Sequence, residues 1–241
     1  MEIFFTPEAW IALLTLTFLE IVLGIDNIIF MSIVSNKLPV HQQSKARTIG
    51  LALALIVRIL MLMGISYIIG FTEPLFEIFA HEVSGRDLIL AGGGLFLLAK
   101  SITEIHDKVD NDEHELEGSK KVKGFSAVLV QIVLLDIIFS FDSILTAVGM
   151  SRDLPVMIAA VIIAIIVMMF FAAPISRLIN RFPTLQMLAL SFLILIGFML
   201  MVESLHYEVP KGYIYFAVFF SLGVEVLNIR LRKKSNSSVK K

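Results

Sequence analysis

Apolar runs of about 20 residues, the length at which an α-helix crosses the hydrocarbon of a bilayer, recur along this chain between short charged or turn-forming connections. They cover roughly residues 9–34, 48–70, 87–105, 125–150, 156–176, 185–205 and 212–230. The pattern predicts an all-α polytopic membrane protein, a single transmembrane domain over residues 1–241 with about seven transmembrane helices. A loop at 106–124 and a basic tail at 231–241 lie outside the spans. Thr6, Pro7 and Glu8 suit an N-cap, a proline at the first helical position and an acidic first turn, so the first helix is expected to begin there. The opening MEIFFTPEAW has neither a basic n-region nor a small-residue cleavage site, and the first hydrophobic segment is expected to stay attached.

Two of the apolar runs carry the same acidic interruption. LEIVLGIDNIIF places Glu20 and Asp26 in the first span, and LDIIFSFDSIL places Asp136 and Asp142 in the fourth. A shift of 116 residues lays Glu20 on Asp136, Asp26 on Asp142 and Asn27 on Ser143, with apolar residues matching around them. A carboxylate at the centre of a membrane helix costs about 2.5–3.5 kcal/mol on the insertion scale, so four uncompensated ones would cost roughly 10–14 kcal/mol. Something must coordinate or neutralise them.

The basic residues give an orientation. Lys37, Lys45 and Arg47 follow the first span, Lys108, Lys120, Lys121 and Lys123 the third, and Arg177 and Arg181 the fifth, whereas the even-numbered connections hold only Arg86, Arg152 and Lys211. The positive-inside rule then puts the N-terminus outside and the C-terminus in the cytoplasm, and a multi-pass protein of the cell membrane is expected. Under that topology the first and fourth spans run in opposite senses, so the repeated motif is inverted. Residues 9–105 and 125–205 read as two inverted three-helix repeats with a seventh helix at 212–230, the sequence trace of a transporter whose site lies between repeats near the midplane. The likeness is clear around the acids, Glu104 and Glu203 are a second candidate match, and the second and fifth spans match only in hydrophobicity.

Taking a rise of about 1.5 Å per residue, Glu20 and Asp136 fall close to the midplane, with Asp26 about 9 Å toward the cytoplasm and Asp142 about 9 Å toward the outside. That is a cation path if the helices face one another. Six residues on a regular helix rotate by about 240°, so Glu20 and Asp26 would point apart. Either they serve different faces, or the helix unwinds near Gly24, and near Ser140 in the repeat, freeing carbonyl oxygens as ligands. Local unwinding is the expectation adopted.

Composition agrees with the spans: 57% of the residues are hydrophobic and the mean hydropathy is +0.88, above ordinary globular chains. A net charge of −1, with the basic residues at helix ends, argues against nucleic acid as a partner and leaves the lipid bilayer as the first one. With no cysteine there is no thiolate metal site or nucleophile. Carboxylates supplemented by Asn27, Ser140 and Ser143 make a hard oxygen environment, suited to Mn²⁺, Mg²⁺ or Ca²⁺ rather than to copper or zinc. The bland alternative is that the acids are hydrogen-bonded packing glue. Four of them in a duplicated motif favour an ion pathway.

Other polar residues are weaker candidates. Arg58 sits inside the second span, where a guanidinium needs an anion, and reads as a fixed counter-ion for one of the carboxylates or as a group that handles an anionic substrate. Lys100 either snorkels or pairs with an intramembrane acid, and Glu225 and Asn228 either extend the path or are solvated at the interface. The acidic stretch holding Glu104, His106, Asp107, Asp110, Asp112, Glu113, His114, Glu115 and Glu117 either attracts or senses metal or is a solvated linker; it lacks the central glycine and spacing of a calcium loop, which favours the linker. Gly92, Gly93 and Gly94 lack a following Lys-Ser/Thr and suit close helix packing. The eleven methionines are scattered through the spans and read as packing residues. No nucleophile, base and orienter can be assembled, so no enzyme is expected, nor any prosthetic group.

TPEAW followed by LEIVLGIDNIIF, then LP at 38–39, GL at 50–51, Arg58, EIH at 104–106, the second acidic motif and PKGYIYFAVFFSLGVEVLN together resemble the TerC family of integral membrane proteins, over nearly the whole chain. That family, named for tellurium resistance, belongs with the LysE-type exporters and is associated with manganese export, and some members with supplying metal to exported proteins. The resemblance implies Mn²⁺ efflux with Glu20, Asp26, Asp136 and Asp142 as the first candidates, and lends less to Glu203, Glu225 and Asn228. The chain ends soon after its seventh span, so regulatory functions of longer relatives are not carried over. The resulting expectation is a secondary transporter that takes Mn²⁺ past Asp26, holds it near Glu20 and Asp136, and releases it past Asp142, with proton exchange as a natural coupling. Its rival is a membrane scaffold that helps assemble or metallate exported-protein partners without moving ions. An intramembrane enzyme is the weakest of the three.

Overall fold

The computed structural model describes residues 6–78, 81–113, 124–150, 153–207 and 209–238. Among them are the helices α1 (Pro7–Ser35), α2 (Val40–Met63), α3 (Ile65–Gly70), α4 (Gly85–Glu113), α5 (Phe125–Met150), α6 (Leu154–Arg181), α7 (Pro183–Glu203) and α8 (Lys211–Ser238), with a hairpin of β1 (Pro74–Ile78) and β2 (His81–Ser84) between α3 and α4. Seven of the helices are long and apolar enough to cross a membrane, all but the six-residue α3.

Local signals explain the boundaries. Thr6 caps α1 by accepting from the Ala9 N–H at 3.4 Å, with Pro7 at the first position. Ser84 and Asp87 form a reciprocal box at the start of α4: the Ser84 N–H donates to the Asp87 carboxylate at 2.9 Å, and the Asp87 N–H to the Ser84 hydroxyl at 3.2 Å. The second predicted span, 48–70, is divided at Gly64, where α2 stops and α3 begins. Residues 106–113, expected in the acidic loop, extend α4, supported by i,i+4 pairs of Lys100 with Glu104 and of His106 with Asp110 at 3.2 Å. The rest of that loop, 114–123, lies outside the described residues. Residues 231–238 of the expected tail likewise continue α8. The antiparallel hairpin, pairing Phe76 with Val83 and Glu77 with Glu82, is an element the hydropathy reading did not contain.

The long helices form two packing groups. In the first, α1 lies on α6, α2 lies on α5 and on α6, and α1 also meets α5. Its interior holds Leu16, Phe30, Val34, Leu135, Ile144, Ala164 and Ile165, all buried. In the second, α4 pairs with α7 where two glycines let the backbones approach: a Cβ on Gly94 would stand 2.5 Å from the Gly197 carbonyl oxygen. Gly93 gives the same freedom to Ile138 of α5, so two of the three consecutive glycines serve helix packing as expected. α8 packs on α7 at its margin and leaves Tyr213, Phe216, Phe219 and Phe220 exposed.

Side-chain contacts fix the directions. Asn36 after α1 meets Asn180 near the end of α6, so these two helices run parallel. Asp87 at the start of α4 meets His206 just past α7 at 2.9 Å, and Lys108 near the end of α4 meets Gln186 near the start of α7, so that pair is antiparallel.

Candidate functional site

The residue expected as counter-ion for one acid joins two. Glu20 of α1, Arg58 of α2 and Asp136 of α5 meet inside the first helix group, with 3%, 3% and 7% of their surface exposed. Arg58 presents its Nη1 to Glu20 Oε2 and turns the other side of its fork to Asp136: Nη2 lies 2.7 Å from Oδ1, and Nε lies 3.2 and 3.1 Å from Oδ1 and Oδ2. A planar guanidinium suits this, because its five donors leave in fixed directions toward two acceptors.

Neighbouring residues complete the shell around Asp136. Asn27 Nδ2 donates to Oδ1 at 3.3 Å, and the Ser140 hydroxyl, one turn along α5, donates to Oδ2 at 3.2 Å. Ser143 turns away and donates to the Ser140 carbonyl oxygen at 3.2 Å. Asn27 is 8% exposed, and its Oδ1 is buried without a hydrogen-bond partner among the described residues, a state that costs about 1–3 kcal/mol when nothing fills it. Asn27 lies seven residues beyond Glu20, about 20° short of two full turns, so both look toward Arg58 and α5 from one face of α1.

The expected local unwinding is not present. α1 is continuous from Pro7 to Ser35 and α5 from Phe125 to Met150. Gly24 serves packing instead of a break: a Cβ there would stand 2.3 Å from Met168 Sδ of α6. With both helices regular, no carbonyl oxygen is released as a ligand at Gly24 or Ser140. Asp26 and Asp142 lie on the continuous helices, and their side chains lie outside the described residues. Among the described residues no group of three or more His, Cys, Asp or Glu side chains is placed to hold a metal ion.

The weaker candidates fall elsewhere. Lys100 pairs with Glu104, which is buried and also takes Lys37 at 2.5 Å, and Lys37 reaches Asp107 at 3.6 Å. This cluster ties the end of α1 to α4. The sequence places Lys37 only in a basic connection, and no signal in it points to Glu104, which already has Lys100 one turn away. Glu203 is buried at the end of α7, the end at which His206 meets Asp87. Glu225 accepts from the Thr184 hydroxyl and from Asn228 at 3.5 Å, at the margin formed by α7 and α8. The Ser84–Asp87–His206 link was missed, although a serine three residues before an aspartate ahead of an apolar run is readable as a capping box.

Comparison with known proteins gives consistent matches. The sequence model of the family described as "Integral membrane protein TerC family" matches residues 5–240. A UPF0053 protein of Haemophilus influenzae is 54% identical over 227 residues, covering 94% of this chain and 96% of its own length. The UPF0053 inner membrane protein YgdQ of Escherichia coli (strain K12) is 55% identical over 230 residues, covering 95% and 96%. The UPF0053 inner membrane protein YoaE of the same organism is 48% identical over 228 residues, 95% of this chain but 44% of the relative. No solved structure matches.

Proposed function

The chain belongs to the TerC family of integral membrane proteins, and from that premise we propose that it exports a divalent metal cation, Mn²⁺ first, from the cytoplasm across the cell membrane. The observation that carries the reading is the convergence of Glu20 and Asp136, one from each half of the chain, on a single buried position. Two ionised carboxylates neutralise one divalent cation; Ser140 has its hydroxyl oxygen at Asp136, and Asn27, whose amide nitrogen donates to Asp136, has its own oxygen buried nearby. Oxygen donors without sulfur select hard or borderline cations, with Mn²⁺ at the tolerant end. Asp26 and Asp142 would serve as the stations before and after this position, each reached along its own regular helix.

The packing supports reading residues 9–105 and 125–205 as inverted repeats. α1 lies on α6 as α5 lies on α2, α1 and α5 meet at the acids, and α4 and α7 pair with one another, which is the pattern that an exchange of α1 with α5, α2 with α6 and α4 with α7 preserves. The orientation with the N-terminus outside rests on the basic connections. Proton exchange fits a site whose carboxylates must be compensated when no metal is bound.

Mn²⁺ accumulation in inside-out vesicles, and in liposomes of the purified protein, tests the reading. Wild type is expected to accumulate Mn²⁺, and Glu20→Gln, Asp136→Asn, Asp26→Asn and Asp142→Asn each to lose at least tenfold in rate. Equal accumulation in wild type and all four variants would sink the pathway. A pure scaffold predicts copurifying proteins and no ion movement by the wild type alone.

A further inference from the structure

The acidic position is already filled by a cation that belongs to the chain. Asp136 accepts from Arg58 and Asn27 at Oδ1 and from Arg58 and Ser140 at Oδ2, so no bare oxygen of this carboxylate is turned toward an incoming ion. Glu20 meets the same guanidinium through Oε2. We propose that Arg58 is a built-in competitor for the cargo: its guanidinium holds the place between Glu20 and Asp136 that a divalent cation takes, leaves when the cation binds, and returns when it is released.

This inference rests on the export reading and adds the residue that sets how tightly the cargo is held. The lone pairs argue for displacement: metal bonds to Asp136 must replace the hydrogen bonds that Arg58 makes to both of its oxygens. Charge argues the same way. Two carboxylates balance either a divalent cation alone or, with one negative charge left over, Arg58 alone; both cations together would leave an excess of positive charge in a buried position. Asn27 Oδ1, buried and without a hydrogen-bond partner among the described residues, is an acceptor that the guanidinium does not use and that is open to a metal. Arg58 also comes from α2, while the oxygens come from α1 and α5, so the competitor can withdraw with its own helix and leave the oxygen set in place. A carrier built this way compensates its acids on the empty leg and never holds the cargo at the full affinity of its oxygens.

Mn²⁺ binding by purified protein in detergent, measured by titration calorimetry, and Mn²⁺ efflux from proteoliposomes separate these roles. Arg58→Gln is expected to bind Mn²⁺ at least tenfold more tightly, about 1.4 kcal/mol, while its turnover falls at least tenfold. Arg58→Lys keeps the charge but loses the fork, and is expected to bind about threefold more tightly with turnover between the two. An Arg58 that only holds helices together would leave Mn²⁺ affinity unchanged or lower it, and that result in folded Arg58→Gln overturns the inference. If Arg58→Gln does not fold, Arg58→Lys decides, and an unchanged affinity overturns it equally. Wild type that neither binds nor moves Mn²⁺ ends the export reading and this inference with it; wild type that transports while the Arg58 variants bind no more tightly ends this inference alone.

Discussion

Glu20 and Asp136 hold matching places in one repeated motif and keep different company. Asp136 is engaged at both oxygens, by Arg58, Asn27 and Ser140. Glu20 gives one oxygen to Arg58, and among the described residues no hydrogen bond engages the other. Two exchanges inside the repeat account for most of this. The second copy has Ser140 where the first has Gly24, and that hydroxyl reaches back one turn to its own acid; the first copy has Asn27 where the second has Ser143, and that amide reaches across to Asp136 rather than to Glu20. The same shift sets Pro174 against Arg58, so no guanidinium stands at the matching position of the second half. The two motifs share a spacing and differ in bonding, leaving one anchored carboxylate and one held, among the described residues, by a single partner.

The largest effect expected from that difference is on stability. Asp136→Leu removes the acid that takes the Nε and Nη2 side of the Arg58 fork and strands the Asn27 amide and the Ser140 hydroxyl, so that several buried donors lose their acceptor at once and a loss of about 3–5 kcal/mol is expected. Glu20→Leu leaves Arg58 paired with Asp136 and the local charge balanced, and should cost about 1–3 kcal/mol. Denaturation of the purified variants in mixed detergent micelles checks the order. Equal losses would mean that the uneven bonding of the two acids carries no energetic weight.

The same two motifs show what a sequence makes legible. The spans were readable because a bilayer demands about 20 apolar residues per helix, and the acids because a carboxylate there is expensive unless compensated. Arg58 stood out for the same reason, but a linear sequence does not say which helices touch, so it was assigned one carboxylate instead of two. The expected unwinding came from asking Glu20 and Asp26 to face one way. Glu20 instead finds its partner on α2, and the residue sharing its face is Asn27, seven positions on, a spacing that was available in the sequence. The hairpin at 74–84 was lost among short apolar residues that a 20-residue window averages away. Lys37 looked like any loop lysine until the fold set it beside Glu104.

Making the first motif more like the second tests why they differ at Gly24. Gly24→Ser would put a Cβ 2.3 Å from Met168 Sδ, the flexible end of a side chain that must then move. A loss of about 1–3 kcal/mol is expected, the range for overpacking a filled interior. Met168→Ala should relieve the crowding, so the double variant is expected to show a coupling of about 1 kcal/mol or more in a double-mutant cycle. Additive losses would mean that α6 does not set the need for glycine, and that a hydroxyl could have served Glu20 as Ser140 serves Asp136.

The converse change is expected to be the smallest of the three. Ser140→Ala removes one hydrogen bond to Asp136 Oδ2 while keeping a good helix former in α5, and Oδ2 still accepts from Arg58 Nε at 3.1 Å. A loss of about 0.5–1.5 kcal/mol follows, against about 0.5 kcal/mol or less for Ser143→Ala, whose hydroxyl bonds, among the described residues, a carbonyl of its own helix. The decisive comparison is Ser140→Ala in the Glu20→Leu background. With Glu20 gone, Arg58 and Asp136 are each other's only ionic partners among the described residues, and the guanidinium can draw closer to the oxygen that Ser140 leaves. The serine should then matter less than in wild type, and a cost that stays the same in both backgrounds would show that Asp136 is held in place by α5 rather than by its share of Arg58.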